Sequence, residues 1–173
     1  ATFSLAPYEK FFAELPELQR ELMRTLGVPA AKNPIDVYLF SDESQYRAYK
    51  DQHFPRVPYR PALYILEGGS PSVYTFRKTD METDIRHECT HALLHSSLPV
   101  VPLWLDEGLA KYFEVPANQR AFDHPYFDDL KWKWSLRLGM IRSIESLEQR
   151  SELTEMDAAD YRCSWAWVHF MLH

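Results

Sequence analysis

The chain has 173 residues, 46 % of them apolar, and a formal charge of −6, enough for one ordinary domain that buries its own core. Lys and Arg are scattered among Asp and Glu rather than gathered in a stripe, which argues against nucleic acid as a partner. No apolar run reaches the ~18 residues that span a bilayer, and Ala1–Pro7 lacks the basic and apolar regions of a signal peptide, so the chain reads as soluble. A start at a small residue without Met suits either an exported protein after signal removal or a trimmed chain, and both readings stay open, as do compartment and oligomeric state. The two cysteines, Cys89 and Cys163, are too few for a disulfide framework and are expected as buried free thiols.

Tyr8–Leu26 places Phe11, Phe12, Leu15, Leu18, Leu22 and Leu26 at helical spacing and stops at Gly27, predicting a covering helix with a glycine C-terminus. Ile35–Phe40 is a short strand-like run. Ser41, Asp42 and Glu43 supply a cap and an acidic first turn for a helix to about His53. Pro55, Pro58 and Pro61 force an extended connection, after which Ala62–Leu66 and Ser72–Arg77 flank Gly68, Gly69 and Pro71 as a hairpin or two adjacent strands. Asp80 to about Ser96 returns to helix with acidic residues early and no Gly or Pro inside.

Pro99 and Pro102 break the chain, and Pro102 suits the first position of a helix over about Leu103–Phe113. Asp128–Ile141, Ile144–Gln149 and Ala158–Leu172 read as further helices, the last with Trp165, Val168 and Leu172 in the core. Strands come early and helices late, which predicts α+β. The expectation is a single domain over 1–173, with a cover helix at 8–26, a strand-containing part over about 35–97 and a helical part over 98–173.

Within the central helix His87-Glu88-Cys89-Thr90-His91 forms H-E-x-x-H. At about 100° per residue the two histidines sit roughly 40° apart, so both rings reach one ion, and Glu88 lies beside them where its carboxylate can take a proton from a water at the metal. Catalytic zinc takes a third protein ligand and keeps one position open. The metzincin pattern would need Gly and His where Leu94 and Ser97 stand, and His95, one turn further along, is read as an ordinary surface or core histidine.

The downstream segment Trp104-Leu105-Asp106-Glu107-Gly108-Leu109-Ala110 resembles the W-L-x-E-G-x-A segment of gluzincins, the aminopeptidase-like zinc metallopeptidases. That resemblance implies Glu107 as the third ligand to one Zn2+. It also implies Glu114, two turns on, as the residue that hydrogen-bonds a ligand histidine. Glu107 follows His91 by sixteen residues, closer than is usual in the larger members. The stretch Tyr161-Arg162-Cys163-Ser164 resembles the late helix of the same superfamily, implying Tyr161 as the donor that stabilises the oxyanion.

The match is to a superfamily, nearest its small bacterial-type domains of undefined substrate. It implies a small mixed sheet whose edge strand, by order Ser72–Arg77, packs on the H-E-x-x-H helix and holds an extended peptide. Tyr74 and Phe76 of that strand share a face and read as core. No G-x-M-E-N-like segment occurs, so the expected activity is that of an endopeptidase on a peptide or protein substrate. The rival readings are a non-catalytic metal-stabilised domain that binds a peptide or protein on the same scaffold, and a zinc hydrolase of a non-peptide amide.

Overall fold

A computed structural model describes residues 1–121, 123–128, 130 and 141–173. They form an α+β structure with a three-stranded mixed sheet, and the chain divides into two compact units, Ala1–Pro99 and Val100–His173. That division lies two residues from the boundary expected between the strand-containing and helical parts. The expected helix Asp128–Ile141 falls largely on residues outside the described set.

The first unit is layered. Helix α1, Glu9–Leu26, buries Phe11, Leu18 and Leu22 and ends at Gly27, whose φ of 67° is left-handed and whose N–H closes on the Met23 carbonyl. Strand β1, Asp36–Phe40, leads into α2, Glu43–His53, whose N-cap Asp42 accepts the Gln45 N–H at 3.0 Å. Strands β2, Ala62–Glu67, and β3, Ser70–Phe76, are joined by Gly68 and Gly69 alone, both at positive φ, as a tight two-residue hairpin requires. The strands therefore run further toward the turn than their apolar residues indicate, and Pro71 lies inside β3. It is tolerated there because β1 covers only Ser72–Phe76.

The strand order is β1-β3-β2, with β1 parallel and β2 antiparallel to β3. This corrects the expectation that Ser72–Arg77 is an edge strand: β3 is central and β2 is an edge. Thr2 N–H donates to the Leu39 carbonyl and covers part of the outer side of β1. Residues alternate between faces of a strand. Tyr74 and Phe76 pack with Tyr46 of α2 and Leu63 of β2 in one core, while Thr75 turns to the other face and meets Asp84 of α3. Helix α3, Met81–Ser97, packs on β2 and β3, with α1 against it.

The second unit is helical. Helix α4, Leu103–Phe113, begins after Pro102, which stands at the N-cap rather than inside the first turn. Helix α5, Ile144–Glu148, is capped by Ser143, and α6, Ala158–Leu172, by Asp157 in a reciprocal capping box with Asp160. Trp104, Leu147 and Cys163 join the three helices in one core. Trp165 and Val168 are buried as expected, whereas Leu172 is half-buried. Gly108 is where α4 and α6 touch: a Cβ there would lie 2.6 Å from the Ser164 carbonyl oxygen and 2.8 Å from Val168 Cγ2. Both cysteines are buried free thiols. No helix among the described residues is long and apolar enough to cross a membrane.

Candidate metal centre

Helix α3 carries the first part of the centre, and most of its circumference is buried: Met81, Ile85, Arg86, Cys89, Thr90, Ala92, Leu93 and Leu94 are all enclosed. A helix covered on nearly every side is held by its neighbours rather than by amphipathic contact with one. Its N-terminal turn is tied to the sheet by Asp84, which pairs with Lys78 at 2.5 Å and lies 3.4 Å from the Thr75 hydroxyl; the same hydroxyl reaches the Pro61 carbonyl at 3.1 Å. On the other side the Arg86 guanidinium sits 5.4 Å from the centre of the Phe11 ring of α1.

The structure brings His87 and His91 together. Their Nε2 atoms are 3.2 Å apart and the rings meet edge to face at 4.9 Å. Two nitrogens bound tetrahedrally at about 2.05 Å from one zinc would be about 3.3 Å apart, so the pair is already spaced as two ligands of one ion. His91 is buried and His87 half-buried, which leaves the pair reachable from one side. Glu88 is half-buried next to them. Burial raises the Tyr46 phenol well above its ordinary value, and the Glu88 carboxylate adds to that rise, which places the Glu88 charge within reach of the α2 core. Cys89, between the histidines in sequence, points into the interior; burial pushes its thiol up to about 12, so it stays protonated and is no competitor for a metal.

His95 is nearer than its sequence position suggests. It is exposed, packs edge to face on Tyr64 of β2 at 5.4 Å, and offers a ring nitrogen within 4.8 Å of one on His91. Histidine and carboxylate groups among the described residues come close enough together to share a metal ion.

The second unit carries the remaining expected residues. Glu107 lies in the middle of α4 with 2 % of its surface exposed, one residue before the Gly108 contact with α6. Glu114 caps the C-terminus of α4 and pairs with Lys111 at 2.8 Å. Burial acts to lower the Lys111 ammonium, and the Glu114 carboxylate outweighs it, so the charged pair persists. Tyr161 stands half-buried in the first turn of α6, within electrostatic reach of Tyr126, whose phenol is raised chiefly by burial.

Sequence reasoning did not single out Lys111, His124 or Tyr126, which lie near one another in this unit. Lys111 carried a signal, standing three residues before Glu114. His124 stands just before the helical residues 125–128, which include Tyr126. His124 is buried and neutral: its Nε2 donates to the Lys111 carbonyl at 3.0 Å, its Nδ1 accepts the Tyr126 N–H at 3.1 Å, and burial lowers its basicity.

No family model matches the chain, and comparison with curated proteins and with solved structures returns no match.

Proposed function

We propose that this chain is a zinc-dependent metallopeptidase of the gluzincin type, with His87, His91 and Glu107 as the ligands of one Zn2+ and Glu88 as the general base. The observation that carries the reading is the 3.2 Å spacing of the His87 and His91 Nε2 atoms on a helix that also presents Glu88. The donor set, two imidazoles and a carboxylate, suits zinc and leaves a position for substrate or water. When bound, the ion supplies Lewis acidity, polarising a substrate carbonyl and lowering the pKa of water.

The protein's own groups do the rest. Glu88 accepts a proton from the attacking water and delivers it to the leaving nitrogen. The Tyr161 hydroxyl donates to the oxygen on which charge develops, an interaction that strengthens only as the carbonyl becomes tetrahedral. Glu114 accepts a hydrogen bond from a ligand imidazole while Lys111 keeps it ionised. The substrate is a peptide or protein taken in extended form. The strand that receives it is β2, which pairs with β3 alone among the described residues and packs on α3. Backbone pairing there gives affinity with little sequence choice, which fits an endopeptidase.

The test is metal analysis of protein purified without added metal, joined to digestion of a broad peptide library with and without chelator. Ala at His87, His91 or Glu107 should each strip the metal and abolish cleavage, while His95→Ala should keep both. Equal zinc content in the wild type and all three ligand variants would overturn the assignment. Zinc without cleavage of any peptide would point instead to a binding domain.

A further inference from the structure

The sheet has a second edge, β1, on the side away from β2. Along a strand the backbone groups of alternate residues point to opposite edges. The Phe40 carbonyl accepts the Arg77 N–H at 2.9 Å on the β3 side, and the Leu39 carbonyl accepts the Thr2 N–H at 3.0 Å on the outer side. Val37 therefore directs its N–H and C=O outward with Leu39, and no backbone bond among the described residues takes them up. Thr2 closes only the far end of this edge, where its hydroxyl accepts the Ser41 N–H at 2.8 Å. The Tyr38 ring stacks on Tyr74 at 4.8 Å and 10°. Because Tyr74 stands on the β3 side, the other face of the Tyr38 ring looks out past the edge, and Tyr38 is 42 % exposed. Asp36, two residues back on the same face, is exposed as well. Among the described residues it forms no ion pair with Lys32, the one basic residue in the connection from α1.

We propose that the outer edge of β1 docks an extended basic segment of a partner protein, one in which arginine alternates with β-branched residues. An added strand lies about 4.8 Å from its neighbour, so its side chain beside Tyr38 stands off that ring by the distance that Tyr74 has on the other side. A guanidinium in that place meets the ring face and the Asp36 carboxylate together. The same unit already contains such an arrangement: Arg47 lies 3.5 Å over the Tyr59 ring and pairs with Glu43 at 2.6 Å, and the Tyr59 hydroxyl donates to that carboxylate at 2.5 Å. At Tyr38 and Asp36 the ring and the carboxylate are present, and the described residues supply no cation. The intervening residues of the segment turn to the other face, beside Val37 and Leu39, where β-branched side chains fit. Backbone pairing with Val37 gives affinity, and the ring and carboxylate select the cation. The formal charge of −6 favours the same partner. This site is on the opposite edge from β2 and does not depend on the metal or on peptide cleavage.

The experiment is fluorescence anisotropy of the whole chain with a labelled heptapeptide, Val-Arg-Val-Arg-Val-Arg-Val, in the Glu88→Gln background so that no cleavage at α3 consumes the probe. Binding should saturate, and the same peptide with Glu in place of Arg should not bind. Asp36→Lys, at an exposed position where folding is not at risk, should weaken binding about tenfold, and Tyr38→Ala about fivefold, while Tyr38→Phe keeps it. N-methylation of one alternate set of peptide residues should abolish binding and of the other set leave it, since only one set faces β1. Hydrogen exchange at the Val37 amide should slow when the peptide is bound, with no change over Ala62–Glu67 of β2. Equal affinity for the acidic peptide, binding indifferent to N-methylation or to Asp36→Lys, or protection confined to β2 would each overturn the proposal.

Discussion

Helices α3 and α6 each hold two imidazoles four residues apart at nearly the same ring separation, 4.9 and 4.7 Å, yet their surroundings differ in one chemical respect. On α3 the residue after the first histidine is Glu88, and the helix is enclosed on most sides. On α6 the corresponding residue is Phe170, 74 % exposed, and the pair ends the helix. Helical spacing alone thus brings two imidazole rings together. Hydrolysis needs in addition a carboxylate that can move a proton, on a scaffold stiff enough to hold it. Glu88→Gln erases that difference while keeping size and helix propensity. It should retain metal and lower turnover by two or more orders of magnitude, the usual size of a general-base effect. Full activity in this variant, measured with metal content in the same preparation, would break the comparison.

Tyr161→Phe sharpens the same contrast from the second unit. If the hydroxyl meets the developing oxyanion, kcat and kcat/KM should fall together by about a hundredfold, roughly 3 kcal/mol, with KM and metal content unchanged. A rise in KM alone would move Tyr161 from the transition state to substrate binding.

The two units were not equally legible in the sequence. In the first, nearly every boundary is a local event: Gly27 ends α1, Asp42 starts α2, and Gly68-Gly69 makes the hairpin. What sequence order could not supply was which strand lies in the middle, because β1 reaches β3 across both α2 and β2. A signal did exist. Val73 through Phe76 is a continuous apolar and β-branched run, buried on both faces, where an edge strand would alternate. At the candidate centre, the His87–His91 and His91–His95 spacings both follow from helix geometry; His95 was set aside in the sequence, and its ring lies 6.1 Å from that of His91 against 4.9 Å for His87. In the second unit, Glu107 and Tyr161 were singled out only through resemblance, and His124 and Tyr126 were not singled out at all.

Gly108 shows the same limit from the packing side. Its place in W-L-x-E-G-x-A reads as part of a motif, and the structure gives it a steric reason: α6 leaves no room for a Cβ. The first unit has no comparable point, since a Cβ at Gly27, Gly68 or Gly69 would meet nothing. Gly108→Ala should therefore destabilise the chain by about 1–3 kcal/mol, because the obstructing atoms include backbone that cannot swing aside. In urea the midpoint should drop with little change in slope. A neutral result would mean that α4 and α6 can separate cheaply, and would weaken the case that Glu107 is rigidly presented.

The smallest expected effect is electrostatic and again distinguishes the units. Near the start of α6, Arg142 forms a two-pronged pair with Asp157 at 2.9 and 3.0 Å and also pairs with Asp160, which Arg150 contacts at 3.2 Å. The Arg142 hydrogen bonds hold the Asp157 carboxyl at about 2, below its ordinary 3.8. Asp160 is also lowered: burial would raise it, and the hydrogen bonds from Arg142, the Asp157 N–H and Arg150 prevail. A carboxylate whose pKa is depressed by folding contributes stability above its unfolded value and loses it as pH falls through the folded one. The contribution is thus full above about pH 5, erodes below pH 4 and is gone near pH 2. Because the Asp157 side chain is 59 % exposed, solvent screens its share and the effect on stability should be slight. Asp157→Asn isolates the charge, since Asn remains a good N-cap for α6. Thermal melts of the two proteins should differ most near pH 5 and converge as pH approaches 2. A gap that stayed constant over that range would show that the loss comes from the cap hydrogen bonds and not from the ion pair.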